Sequence, residues 1–251
     1  MLHRTDKFLT EKFSPILERL HNYDNPSYIP CSVGTAAKLN ITTTFVKDAP
    51  VDNYAYSFAI LGDIQTVNRK YPTQLSTIYK WIKDNAVSQK IKLCIGLGDI
   101  ADTQSPLDTQ RKEHDNAIAS FKLLNNVVPY TFIRGNHDKI VVYNEKFPYS
   151  DWSHCATGSF DGTMLNTYYK LQVGSVKYLI INLDIALKDS ILNQVNTLIE
   201  SNPDHRVIVA THVYKYNTGG YYDVATMNSK GYGNDGNGGK VENNGQGLWT
   251  K

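Results

Sequence analysis

Cysteine is scarce. The chain has three, Cys31, Cys94 and Cys155, and no two stand in CxxC spacing. A zinc–thiolate site usually draws on closely spaced pairs, so the spacing argues against that class of centre. Cys94 lies inside an apolar run and reads as a small buried residue. Cys31 and Cys155 could pair in an oxidising compartment, which the sequence leaves open. Net charge is also low, at +2. That balance is too weak to imply nucleic acid or a membrane surface as partner. No apolar run approaches the ~18 residues that span a bilayer. The first residues, Met1 to Lys7, lack the apolar core of a signal peptide. Histidine is sparse as well: there are seven, and none follows His212. Internal repeats are absent.

The remaining composition is that of an ordinary globular protein, with 41% hydrophobic and 20% charged residues in 251. That length suits one α/β domain with a sizeable core. Seventeen tyrosines and many asparagines give a weak lean towards an extracellular protein.

Residues 1–50 read as a lead-in segment or as the end of an upstream domain. Within it, Phe8, Leu9, Phe13, Ile16, Leu17 and Leu20 give one helical face over 6–21, limited by Pro15. Residues 36–46, rich in Thr, suggest a strand. From 51 the pattern alternates. Strands are expected over 55–61, 91–97 and 128–134, with helices over 73–85 and 105–126 between them. Ala117, Ile118, Phe121 and Leu124 give the longer helix its inward face. Residues 167–173 and 176–182 read as a hairpin about Gly174-Ser175. A helix over 187–200 and a strand over 206–211 follow. This rhythm predicts a layered α/β sheet protein. Residues 139–165 are aromatic and irregular, and Tyr149, Trp152, His154 and Phe160 are expected to line or roof a cleft. Residues 214–247, dense in Gly, Asn and Tyr, read as a mobile substrate loop or a plain insertion. Residues 248–251 look like the opening of a further helix.

The chemistry sits at the ends of the strands. Tyr56 to Leu61 runs into Gly62-Asp63-Ile64-Gln65. Ile91 to Leu97 runs into Gly98-Asp99-Ile100-Ala101-Asp102. Val127 to Arg134 runs into Gly135-Asn136-His137-Asp138, and Arg206 to Thr211 ends at His212. Open α/β sheets place ligands at the carboxyl edge of their strands. Four strands in order, each delivering a metal-competent side chain there, argue against coincidence. Hard oxygen and imidazole donors suit two divalent cations of the manganese, iron or zinc kind. Gln65 would bind through a neutral amide oxygen, which favours manganese or iron over zinc.

GDIQ, GDIAD, GNHD and the strand ending in Thr-His resemble the ordered motifs of calcineurin-like metallophosphoesterases, over roughly residues 56–251. The resemblance implies a β-sandwich flanked by helices. It also implies hydrolysis of a phosphomonoester or phosphodiester by a dinuclear centre, with metal-bound hydroxide as nucleophile. By the same resemblance Asp63 and Gln65 hold one ion, Asn136 and His212 the other, and Asp99 bridges them. His137 would act on the leaving oxygen, with Asp138 orienting it. Asp102 is expected to support the loop or the site's hydrogen bonding. Arg134 is a candidate phosphate contact or a structural ion pair, and His154 a candidate substrate contact. Two departures stand out. Gln65 occupies a place where most of the family has His. The family's closing Gly-His-x-His is absent from these residues, which implies a chain cut before its last strands or a natural variant. Either way each ion lacks an expected ligand, and weak metal binding with feeble activity is expected. The competing readings are a binding or scaffold module that keeps the fold and, more weakly, a nuclease, against which the near-neutral charge argues. The identity of the phosphoester and the oligomeric state are not legible.

Overall fold

A computed structural model of the chain describes residues 54–213, 220–232 and 240–243. The lead-in over 1–50 and the expected helix opening at 248–251 lie outside the described residues.

Two sheets carry the structure. The first is a parallel sheet of β1 (Ser57–Leu61), β2 (Ile91–Gly96) and β3 (Tyr130–Phe132), with β2 central. The second orders β4 (Gly158–Ser159), β5 (Thr167–Val173), β6 (Val176–Leu183) and β7 (His205–Thr211), with β6 and β7 parallel. β5 and β6 form the expected hairpin about Gly174-Ser175, paired from Thr167–Asn182 to Val173–Val176. Gly174 has φ +59°, a left-handed turn conformation that glycine adopts without steric cost.

Three apolar layers hold these sheets. Leu93 and Ile95 of β2 meet Tyr178 and Ile180 of β6 and Ala210 of β7 between the sheets. Side chains alternate along a strand, so Cys94 faces the opposite way. It packs with helices α2 (Pro72–Asp84) and α3 (Leu107–Phe121), among Leu75, Tyr79, Ala117 and Phe121. Outside the second sheet, Leu179, Ile181 and Leu183 pack on Ile191, Leu192 and Val195 of helix α6 (Asp189–Glu200). The result is the expected β-sandwich flanked by helices. Central strands buried on both faces explain why β2 and β6 read as continuous apolar runs. Burial pushes the Cys94 thiol up to about 12, so it is the inert buried residue expected of it. Cys155 is likewise a buried free thiol, while Cys31 lies outside the described residues.

Three short helices lie where loop was expected: α1 (Gln65–Lys70), α4 (Ile140–Lys146) and α5 (Tyr149–Trp152). Their apolar residues are too few to show a period. A fourth, α7 (Val224–Ser229), lies inside the stretch read as a mobile substrate loop or a plain insertion. Asp223 caps it, accepting the Thr226 amide N–H at 2.7 Å, and Met227 packs with Ile185, Val213 and Val241. The rest of that stretch lies outside the described residues. The aromatic segment is corrected too. Trp152 is core, set edge-on to Phe132 and Phe147, and Phe160 packs on Tyr168. Their apolar area is worth more against the sheets than over a polar cleft. No helix among the described residues is long and apolar enough to cross a membrane.

Candidate metal centre

Pairing aligns the strand ends. Leu61, Gly96 and Phe132 lie side by side, so the residues just after them converge at one edge. β7 brings His212 to the same place. Two glycines permit the convergence. Gly98 has φ +87°, and a Cβ there would stand 2.8 Å from the Gly135 nitrogen. A Cβ on Gly135 would stand 2.0 Å from the Asp99 nitrogen and 2.1 Å from its Oδ1. Asp99 itself sits at φ +50°, a conformation non-glycine residues seldom adopt outside functional sites.

Donor atoms of Asp63, Asp99 and His212 lie within 4.8 Å of one another. Asp99 is buried; its Oδ1 accepts the His137 backbone N–H at 2.9 Å and its Oδ2 accepts Gln65 Nε2 at 2.8 Å. His212 Nδ1 donates to the Leu97 carbonyl at 2.7 Å, which turns Nε2 into the site. Around Nε2 stand Asn136 Oδ1 at 3.1 Å and Asp99 Oδ1 at 3.3 Å, both acceptors. Two oxygen acceptors facing one ring nitrogen suit a proton on Nε2 or, with Asp63 close by, a bound cation. The His212 ring shows the same demand. Burial alone would lower its pKa, but the Asp99 carboxylate, the Leu97 carbonyl and Asp63 raise it to about 9. Gln65 Oε1 is buried without a hydrogen-bond partner, an arrangement that costs stability unless something else occupies it. The donor set therefore fits hard divalent cations.

A family model described as calcineurin-like phosphoesterase matches residues 56–236, which contain all of these side chains. The chain belongs to that family. Among solved structures, this calcineurin-like phosphoesterase is similar to a dimetal phosphatase from Danio rerio, at 11% identity and a TM-score of 0.43. That match covers 64% of this chain and 71% of the fish protein. It is also similar to a purple acid phosphatase from yellow lupin (Lupinus luteus) seeds, at 16% identity and a TM-score of 0.38, covering 63% of this chain and 31% of the plant protein. A search of curated proteins finds no match.

Not every expected residue of the phosphoesterase site faces it. His137 does; its Nδ1 lies 3.2 Å from the Asp102 carbonyl and 3.3 Å from the Asp102 carboxylate. Asp102, in turn, pairs with Arg69 Nε at 2.9 Å. The expectation that Asp138 orients His137 is therefore corrected: Asp102 holds that ring. Asp138 is fully buried, and its carboxylate accepts the backbone N–H groups of Ile100, Ala101 and Gly135 at 2.8–3.0 Å. His114 Nε2 lies 3.3 Å from it, off the line of a hydrogen bond. Burial would raise the Asp138 pKa, but His114 and the amides outweigh it and hold the group below the usual carboxylate range. Asp138 thus fastens the loops that carry Asp99 and Asn136.

Arg134 is also corrected. It is 3% exposed and forms a bidentate pair with Asp184 at 2.7 and 2.9 Å. It also donates to the carbonyls of Asp138 and Tyr232, so its charge and four of its five N–H groups are engaged inside the protein. Arg134→Met is expected to destabilise the fold by about 3–5 kcal/mol, because Asp184 stays buried and unpaired. Urea unfolding checks this, and a loss below 1 kcal/mol would contradict it. His154 stacks on Trp152 and lies 3.3 Å from the Tyr130 hydroxyl. Tyr130 opens β3, so His154 stands at the end of the sheet away from the metal centre.

Residues missed in the sequence hold the site from behind. Gln110 Nε2 donates to the carbonyls of Thr103 and His137, each at 2.9 Å, and its Oε1 accepts the Lys139 N–H. Glu113 accepts the N–H groups of Asp102 and Thr103 at 2.7 and 3.0 Å. Asn68 Nδ2 donates to the Ile100 carbonyl at 2.8 Å. A signal existed: 110, 113, 114, 117 and 121 form one helical stripe, polar at its start and apolar at its end.

Proposed function

We propose that the chain is a metal-dependent phosphoesterase acting on a phosphomonoester or phosphodiester. The observation that carries this is the convergence of Asp63, Asp99, Asn136 and His212 at one sheet edge, with the Gln65 amide held against Asp99. Asp63 and Gln65 would hold one divalent cation, Asn136 and His212 a second, with Asp99 shared between them. Bound there, such a pair supplies Lewis-acid activation of water and neutralises phosphate charge.

The remaining chemistry falls to His137. With Nδ1–H directed at Asp102, its Nε2 is the atom free to hold a proton for the leaving oxygen. The Asp102 carboxylate stabilises the ring when it is charged, and Arg69 keeps that carboxylate in place. Asp99 also accepts the His137 backbone N–H, so the acid and the cation ligands share one rigid support.

Hydrolysis of 4-nitrophenyl phosphate and bis(4-nitrophenyl) phosphate at millimolar manganese tests the reading. Hydrolysis is expected to be slow, because the Gly-His-x-His ligands are absent from these residues, and to stop with a chelator. His137→Ala should lower kcat by about 10²–10⁴-fold with metal content unchanged, because only its backbone touches Asp99. Asp102→Asn should act in the same direction and more weakly. Metal-loaded protein that cleaves neither ester would favour a binding module and defeat the proposal.

A further inference from the structure

A cavity of about 340 Å³ opens beside the metal centre and shares Asn136 and His137 with it. Its outer wall includes Gln104, Lys139, Lys230 and Tyr232. Arg134 and Asp138 also border it, but both charges are spent on partners inside the protein. The two lysines differ. Neither is ion-paired to a carboxylate among the described residues. Lys139 is half-buried, and its backbone is fixed by Gln110 Oε1 at 2.9 Å. Lys230 is exposed and follows the end of α7. Among the described residues, the cavity that His137 lines therefore carries two lysines with no carboxylate partner.

Position gives that charge a meaning. The group that protonates a leaving oxygen faces the leaving group, and here it forms the inner wall of the cavity. We propose that the cavity holds the leaving-group half of the substrate, and that this half carries a second anionic group, a phosphate or a carboxylate. The inference rests on the phosphoesterase reading above. It narrows the substrate class to esters with an anion beyond the scissile phosphate. An anion on that half could pair with both ammonium groups, whereas a neutral leaving group would engage neither.

Three hydrolysis-resistant probes test this by calorimetry on manganese-loaded protein: phenylphosphonate, 1,4-benzenediphosphonate and 4-phosphonobenzoate. The two doubly anionic probes are expected to bind about 10–100-fold more tightly than phenylphosphonate, about tenfold per lysine. Lys139→Ala and Lys230→Ala should each remove about tenfold of that advantage. Affinity for phenylphosphonate should not change, which also shows that the variants keep an intact site. Preference between the diphosphonate and the carboxylate identifies which anion is recognised. Equal binding of all three, no binding of any, or an advantage that survives in the double variant would overturn the inference. Failure of the phosphoesterase reading shows separately, as no hydrolysis of 4-nitrophenyl phosphate by the same loaded sample.

Discussion

Gly135→Ala is expected to empty the metal centre while leaving the sandwich folded. The added methyl would have to sit 2.0 Å from the Asp99 nitrogen and 2.1 Å from its Oδ1. Both are far inside contact distance, and the nitrogen is backbone, so the loops must separate. Overpacking of this kind costs about 1–3 kcal/mol, sometimes more. The apolar layers around β2 and β6 do not involve Gly135, so the domain should still melt cooperatively. The site should not survive. Asp99 and Asn136 move apart, and a displacement near 1 Å costs about 10²-fold in rate. Mass spectrometry of bound metal, with circular dichroism melting, checks this. A variant with full metal and undiminished hydrolysis would show that the glycine contact is not what holds the ligands together.

Asp99→Asn is the second change with a large expected effect, and it keeps the shape. The amide fits where the carboxylate was, but the charge that the two proposed cations would share is gone. Metal binding to the folded state alone raises stability by mass action, about 2.7 kcal/mol at a hundred times the dissociation constant. In a domain of this size that corresponds to roughly 5–10 °C in Tm. The parent chain should show such a rise on titration with manganese, and Asp99→Asn should lose most of it. Hydrolysis should fall by about 10²–10³-fold or more, the scale of removing one preorganised electrostatic contact. An unchanged thermal shift would mean that Asp99 is not a shared ligand.

The stretches that carry the chemistry were legible because each follows an apolar strand and begins with a turn-forming residue. Asp63, Asp99, Asn136 and His212 do meet at one edge. For Arg134 the sequence left two roles open. A charged residue at a strand end can face the ligand or the interior, and sequence shows only its position. Asp184, fifty residues away, makes the difference. Asp138 and Asp102 exchanged roles in the same way. Both lie close to motif residues, but only the loop path shows that one carboxylate meets backbone amides and the other meets the His137 ring.

The sequence by itself determined the order of the long strands and helices, the hairpin register and the identity of the metal-competent side chains. These follow from period, turn chemistry and donor type, which are local properties. The tertiary structure decided which polar groups face the cleft and which brace it. It placed Gln110, Glu113 and Asn68 behind the site, buried His114 against Asp138 and opened a lysine-lined cavity past His137. Those outcomes depend on contacts between residues far apart in the chain. No local pattern encodes them, because a buried polar side chain takes its role from whichever backbone group the packed layers bring within reach.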